Sequence, residues 1–188
     1  MWLSDKMHLR QKEADPYELF TPRLRLRSLA VEEARLALRG DRKTLAARIG
    51  ASVPADWPGA GLTTSLPGII AHMAKHADGA GWLWVIIERA TASMVGDIGF
   101  HSPLVGVSSV EIGYLIFPSA GGRGYATEAT ASLVEWALSQ PGIERVTAQI
   151  APDNAPSLRV AAKLGMRETA MEEPGFRCFE RLRVWRAE

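Results

Sequence analysis

The chain has 188 residues, of which 47% are apolar and 23% charged, with a formal net charge of +1. That length suits one domain with a real core, and the near-neutral balance removes any global electrostatic case for a nucleic-acid or membrane-surface partner. One cysteine, Cys178, excludes an intrachain disulfide and a cysteine metal cluster. No apolar run is long enough to span a bilayer, and charges interrupt Met1 to His8 where a signal peptide would need an apolar core. A soluble cytoplasmic protein is the expectation.

Residues 1–19 are polar and mixed and read as an N-terminal arm ahead of a domain over residues 20–188. Thr21 to Arg27 alternates basic and apolar residues with the two-residue period of a half-buried strand. Leu24 and Leu26 would point inward and the arginines outward, a pattern that also suits a protected sheet edge. Val31 to Ile49 is helical in pattern, Val53 to Pro67 reads mostly as loop, and a second helix covers Pro67 to His76. Trp82 to Ile87 is a continuous apolar run, as in a strand buried on both faces. Met94 to Phe100 and Val110 to Phe117 follow through short connections, which predicts an antiparallel meander. Tyr125 to Ser139 has an apolar stripe from Ala126, Ala129, Leu133 and Trp136, and Pro141-Gly142 stops that helix. A crossover through it makes Arg145 to Ile150 parallel to the preceding strand. Ser157 to Leu164 is a further helix with Gly165 as its left-handed cap, and Phe176 to Trp185 reads as a closing strand.

Gly121-Gly122-Arg123-Gly124-Tyr125-Ala126-Thr127 stands between the meander and a helix. Its glycines allow a tight turn that aims successive N–H groups at one point, to which the helix adds its own unpaired N–H groups and dipole. Such a cradle binds phosphate. A P-loop would need Lys followed by Ser or Thr at the helix start, which is missing. A dinucleotide fold would want an acidic residue ending the next strand, where Ile150 and Ala151 stand.

The order of elements, with this loop after the fourth strand, resembles the GNAT family of acyl-CoA-dependent N-acetyltransferases. That family's signature is Arg or Gln, two residues, Gly, one residue, then Gly or Ala. Gly121 to Ala126 fits its last positions, but Gly121 replaces the Arg or Gln. A second family motif follows at Asn154-Ala155-Pro156-Ser157 and continues from Arg159 to Met166. Thr21 to Arg27, Glu111-Ile112-Gly113-Tyr114 and Gly124 to Ala129 look like the RimJ/RimL-type branch, the ribosomal-protein N-terminal acetyltransferases and relatives. The resemblance runs from about Phe20 to Trp185. It implies an α/β (α+β) fold, a single GNAT domain with a mixed, mostly antiparallel central sheet of about 6–7 strands flanked by helices on both faces.

The resemblance further implies that acetyl-CoA is the co-substrate, without a metal, and that the acceptor is an amine on a protein N-terminus or a small molecule. No direct nucleic-acid or membrane contact is expected, and homodimerisation is common in such folds. Contacts to CoA would come from Ile116, Phe117, Gly121, Gly122, Arg123, Gly124, Tyr125, Ala126, Thr127, Asn154, Ser157 and Lys163. Asn154 and Ser157 equally make a helix N-cap box with no ligand at all. Many relatives carry a Tyr seven residues after the Asn as acid for the leaving thiolate. Ala161 holds that position here, so Ser157 or a bound water is the replacement. Glu111 is the base expected by this resemblance, acting directly or through water, against a plain reading as a surface carboxylate.

Other residues divide similarly. His72 and His76 share a helical spacing but have no third ligand, and read as ordinary histidines. His101 would either face the acceptor pocket or only end a strand. Trp57, Trp82, Trp84 and Trp136 read as packing residues, and Cys178 as a small strand hydrophobe. A non-catalytic acyl-CoA sensor is the competing class.

Overall fold

The computed structural model describes residues 17–75, 81–101, 107–170 and 174–184. An eight-stranded sheet runs in the order β1-β2-β3-β4-β5-β6-β8-β7. Its strands are β1 (Glu18–Phe20), β2 (Leu24–Ser28), β3 (Leu83–Glu88), β4 (Ser93–Phe100), β5 (Ser109–Ile116), β6 (Arg145–Ile150), β7 (Arg167–Glu168) and β8 (Arg177–Leu182). All neighbours are antiparallel except β5 and β6. The meander and the parallel crossover thus stand as expected. The sheet exceeds the expected strand count because β1 and β7 are too short to leave a periodic trace. It also begins ahead of residue 20. His76, Trp185 and residues 1–16 of the expected arm lie outside the described residues.

Alternation along β3 explains the layers. Trp84 and Ile86 join Leu24 and Leu26 under α4 (Tyr125–Ser139) and α5 (Ala155–Lys163). Leu83, Val85 and Ile87 face α1 (Val31–Arg39), α2 (Arg42–Ile49) and α3 (Ala60–Met73) on the other side. A strand covered on both faces has no polar side to show, hence its unbroken apolar run. Trp57 and Trp84 are fully buried and Trp136 packs edge-on to Trp84, so the tryptophans are packing residues. Cys178 is buried on β8.

Three local readings are corrected. The single helix expected over Val31 to Ile49 is two, because Gly40 adopts a left-handed φ of 72° and Asp41 caps α2 through the Thr44 N–H. The stretch expected to be loop up to Pro67 becomes helical at Ala60. Pro67 lies inside α3, tolerated because Leu66, Ile70 and Met73 are buried there. Finally, β2 is not an edge, and its two arginines are taken up by protein partners, although Arg25 stays partly exposed. Arg27 is buried and pairs with both carboxylate oxygens of Glu33 on α1 at 2.8 Å, while Arg25 hydrogen-bonds the Ile49 carbonyl at the end of α2. A buried guanidinium is tolerated when a carboxylate meets it in this fork geometry.

Candidate active site

The glycine loop owes its shape to two positions. A short 3₁₀ turn over Pro118–Ala120 leads to Gly121, whose φ of −63° suits any residue. Gly122 and Gly124 have φ of 74° and 80°, where a β-carbon would be strained. Gly124 is also the N-cap of α4. Among the described residues, the N–H groups from Gly122 to Thr127 have no protein acceptor. They form the expected row of donors at the positive end of a 15-residue helix.

Side chains distant in sequence hold the loop in place. Glu128, in the first turn of α4, accepts the Thr21 hydroxyl at 2.6 Å, the Arg23 N–H at 3.0 Å and the Arg23 guanidinium at 2.6–2.7 Å. Arg23 also donates to the Arg123 carbonyl at 2.8 Å and lies over the Tyr125 ring. The Tyr125 hydroxyl in turn donates to Glu88. That bond, with a second from Thr91, holds the Glu88 carboxyl below its usual range. Arg123 approaches the same carboxylate at 3.7 Å. Two motifs that stood far apart in the chain, Thr21 to Arg27 and the glycine loop with its helix start, are thus one bonded unit.

A cleft of about 600 Å³ opens beside this loop, bounded by β5 and α5. Its walls include Ile116, Gly121, Gly122 and Gly124, then Tyr125, Ala126 and Thr127 on α4. Asn154, Ser157 and Lys163 complete it from α5. Phe117 does not line it: this side chain packs toward the α1–α3 layer. Arg123 does not line it either, since its guanidinium turns to Glu88. Asn154 performs the cap duty, its side-chain oxygen accepting the Ser157 N–H at 3.1 Å. Arg159, a wall residue the sequence reading passed over, adds a cation one helical turn from Lys163.

The cleft exists because the sheet opens. β5 and β6 pair only from Ser109 to Glu111, opposite Arg145 to Thr147, and then diverge. Glu111 is therefore the last paired residue before the gap. On its face of β5, the Glu111 carboxylate meets His101 Nδ1 at 3.0 Å. The His101 ring lies over Gly113, where a β-carbon would come within 2.7 Å of Nε2. The Glu111 bond raises the His101 pKa above its ordinary 6.5, against an opposing effect of burial.

His101 lines a second cavity of about 520 Å³ between this face and α3, together with Asp97, Leu62, Trp82 and Leu115. Burial pushes Asp97 up to about 6, even though the Trp57 indole N–H donates to its Oδ2 at 2.9 Å. Tyr114 borders both cavities. Asp97 carried no sequence signal beyond lying on a strand, and Tyr114 stood only as the last residue of the Glu111-Ile112-Gly113-Tyr114 motif, with no role attached. His72 does not join this group, its ring packing on Trp82 at 4.1 Å.

The sequence profile of the acetyltransferase (GNAT) domain matches residues 23–167, and the chain belongs to that family. It is 28% identical over 148 residues to an uncharacterized N-acetyltransferase, YjdG, of Bacillus subtilis, covering 78% of this chain and 88% of that protein. An acetyltransferase structure from Agrobacterium tumefaciens aligns at 25% identity with a TM-score of 0.60, covering 88% of this chain and 94% of the other. Mycobacterium smegmatis RimJ in complex with CoA-disulfide shares the fold at 21% identity and a TM-score of 0.57, covering 92% and 88%. The chain is an N-acetyltransferase that takes its acetyl group from acetyl-CoA. No helix among the described residues is long and apolar enough to cross a membrane.

Proposed function

We propose that the enzyme acetylates a primary amine, with a protein or peptide N-terminal α-amine as the leading acceptor, by direct transfer while donor and acceptor are both bound. The observation that carries this reading is the His101–Glu111 pair at the mouth of the open sheet, facing a cavity separate from the glycine-loop cleft. Acetyl-CoA would lie in the cleft, its pyrophosphate on the N–H groups of Gly122 to Thr127 and its phosphates near Arg159 and Lys163. The orphaned donors and flanking cations fit such a ligand. The acceptor enters from the His101 side.

When His101 is neutral and gives Nδ1–H to Glu111, Nε2 remains as the proton acceptor, and Glu111 stabilises the imidazolium that forms. Glu111 is then one residue removed from the proton it was expected to take, with the His101 ring between them. An α-amine with a pKa of about 7.7–8.0 is roughly a tenth neutral at pH 7, whereas a lysine near 10.4 is roughly 300-fold less so. A mild base suffices for the former, and positioning supplies most of the rate. The cavity's mainly apolar walls around Asp97 also suit a small amine, the competing acceptor.

Thiol release from acetyl-CoA, measured with N-terminal peptides, lysine-only peptides and small amines, tests this directly. Turnover is expected on free α-amines. Because Glu111 raises the His101 pKa, kcat/KM should climb with pH through a value above 6.5, and Glu111→Gln should move that limb down. An unmoved limb would remove the pair from the mechanism. CoA binding without turnover on any amine would point to an acyl-CoA sensor.

A further inference from the structure

Among the described residues that line the cleft, the Tyr114 hydroxyl is a buried side-chain oxygen that reaches no full hydrogen bond. Its ring packs into the core beneath α4 and α5, on the face of β5 opposite Glu111 and His101. Ser157 stands beside it, close enough to oppose in part the upward push that burial gives the phenol. A buried hydroxyl without a partner is costly, so a neighbour able to accept from it is engaged whenever small movements allow. Ser157 is half-buried and lines the cleft, whereas the Tyr114 oxygen does not reach solvent. Ser157 also precedes Ala161 by one helical turn, on the same face of α5. The place where relatives carry a tyrosine on the helix thus holds a methyl group, and a phenol approaches from the strand.

We propose that Tyr114 and Ser157 act as a hydroxyl pair on the sulfur of CoA, Tyr114 donating to Ser157 Oγ so that the Ser157 proton is turned toward the sulfur. This rests on the reading of the glycine-loop cleft as the acetyl-CoA site. Ser157 touches the sulfur and Tyr114 is a positioning residue. As the amine nitrogen bonds to the carbonyl carbon, the carbon–sulfur bond breaks and sulfur keeps the electron pair. The amine proton leaves on the opposite face, to His101. Neither hydroxyl gives up its proton outright. A phenol held above 10 is a weaker acid than a thiol near 8.5, so the pair stabilises the thiolate through hydrogen bonding and solvent protonates it after release. A phenol that stays protonated is what such orientation requires.

The test needs no acceptor. The pKa of the CoA thiol, bound to the whole protein at saturation, is read from thiolate absorbance in wild type, Tyr114→Phe, Ser157→Ala and the double variant, with CoA affinity measured in parallel. The Asn154 cap, Arg159, Lys163 and the α5 N-terminus remain in all four, so their effect on the thiol is common to the series. Each single variant should raise the bound thiol pKa by about one unit, and the double variant by little more than either alone. A Tyr114→Phe pKa equal to wild type overturns the positioning role. Additive shifts would mean that each hydroxyl acts alone, and would equally overturn it. Failure of the wild type to bind CoA would instead sink the reading of the cleft.

Discussion

On the proposed donor side of this molecule the ligand would meet backbone, and on the proposed acceptor side it would meet side chains. The loop from Gly122 to Thr127 offers amide N–H groups whose directions follow from two left-handed glycines and a helix start. The cavity proposed for the acceptor offers Asp97 and His101 among apolar walls, each set in place by a partner on another element. Backbone cradles tolerate change in most of their side chains, since the donors survive substitution. Side-chain sites do not, and small substitutions there alter what is accepted. The donor is therefore common to a family and the acceptor is particular.

Substitutions on the two sides should separate this way. The largest effect is expected at His101. Changing it to Ala should lower kcat by 10²-fold or more while CoA affinity stays within about twofold, measured by initial rates and calorimetry. If CoA affinity fell equally, the sides would not be independent. Next, Glu128→Ala removes the acceptor that Thr21 and Arg23 share. It should weaken CoA binding by about tenfold and leave the acceptor KM unchanged.

Asp97→Asn should act on stability. The folded pKa of about 6 lies above the ordinary 3.8 of an aspartate, so stability is highest with Asp97 protonated and is lost as pH rises from about 4 through 6. The amide keeps an oxygen for Trp57 and carries no charge. The variant should therefore match wild type near pH 4 and exceed it by up to about 2 kcal/mol at pH 8, read as a thermal-melt difference that opens across that window. A constant difference would refute the charge argument. The smallest effect is at Gly121, whose φ of −63° permits a side chain. Gly121→Gln should tighten CoA binding by about threefold once the Pro118 carbonyl, 3.3 Å from the added β-carbon, gives way. Weaker binding would show that the carbonyl holds its place.

Legibility in the sequence followed the same division. The meander, the crossover and the glycine loop were visible because backbone requirements leave local marks: apolar runs, glycines and cap residues. Even the break in the first helix was written at Gly40 and Asp41, and the strong helical pattern around it concealed the signal. Arg27 was misread because an arginine alternating with leucines looks the same whether water or Glu33 awaits it. Asp97 left no mark at all, and Tyr114 showed only as one residue of the motif from Glu111 to Tyr114, with no role attached. Their significance depends on Trp57 and Ser157, which only the folded chain brings near, and no sequence period encodes that meeting.

The bond between Glu128 and the N–H of Arg23 joins residues 105 apart. A contact across so long a loop bears a large closure entropy and gains little until the intervening strands are in place. The donor cradle is thus tied to the assembly of the sheet as a whole. During synthesis, β2 waits unanchored at this end until α4 has emerged, and the loop gains its brace only when the beginning of the domain docks against it. A chain that began after Arg23 would still contain every glycine of the cradle and yet lack what fixes its shape. Competence to hold the donor then reports on the integrity of the entire domain, first strands included.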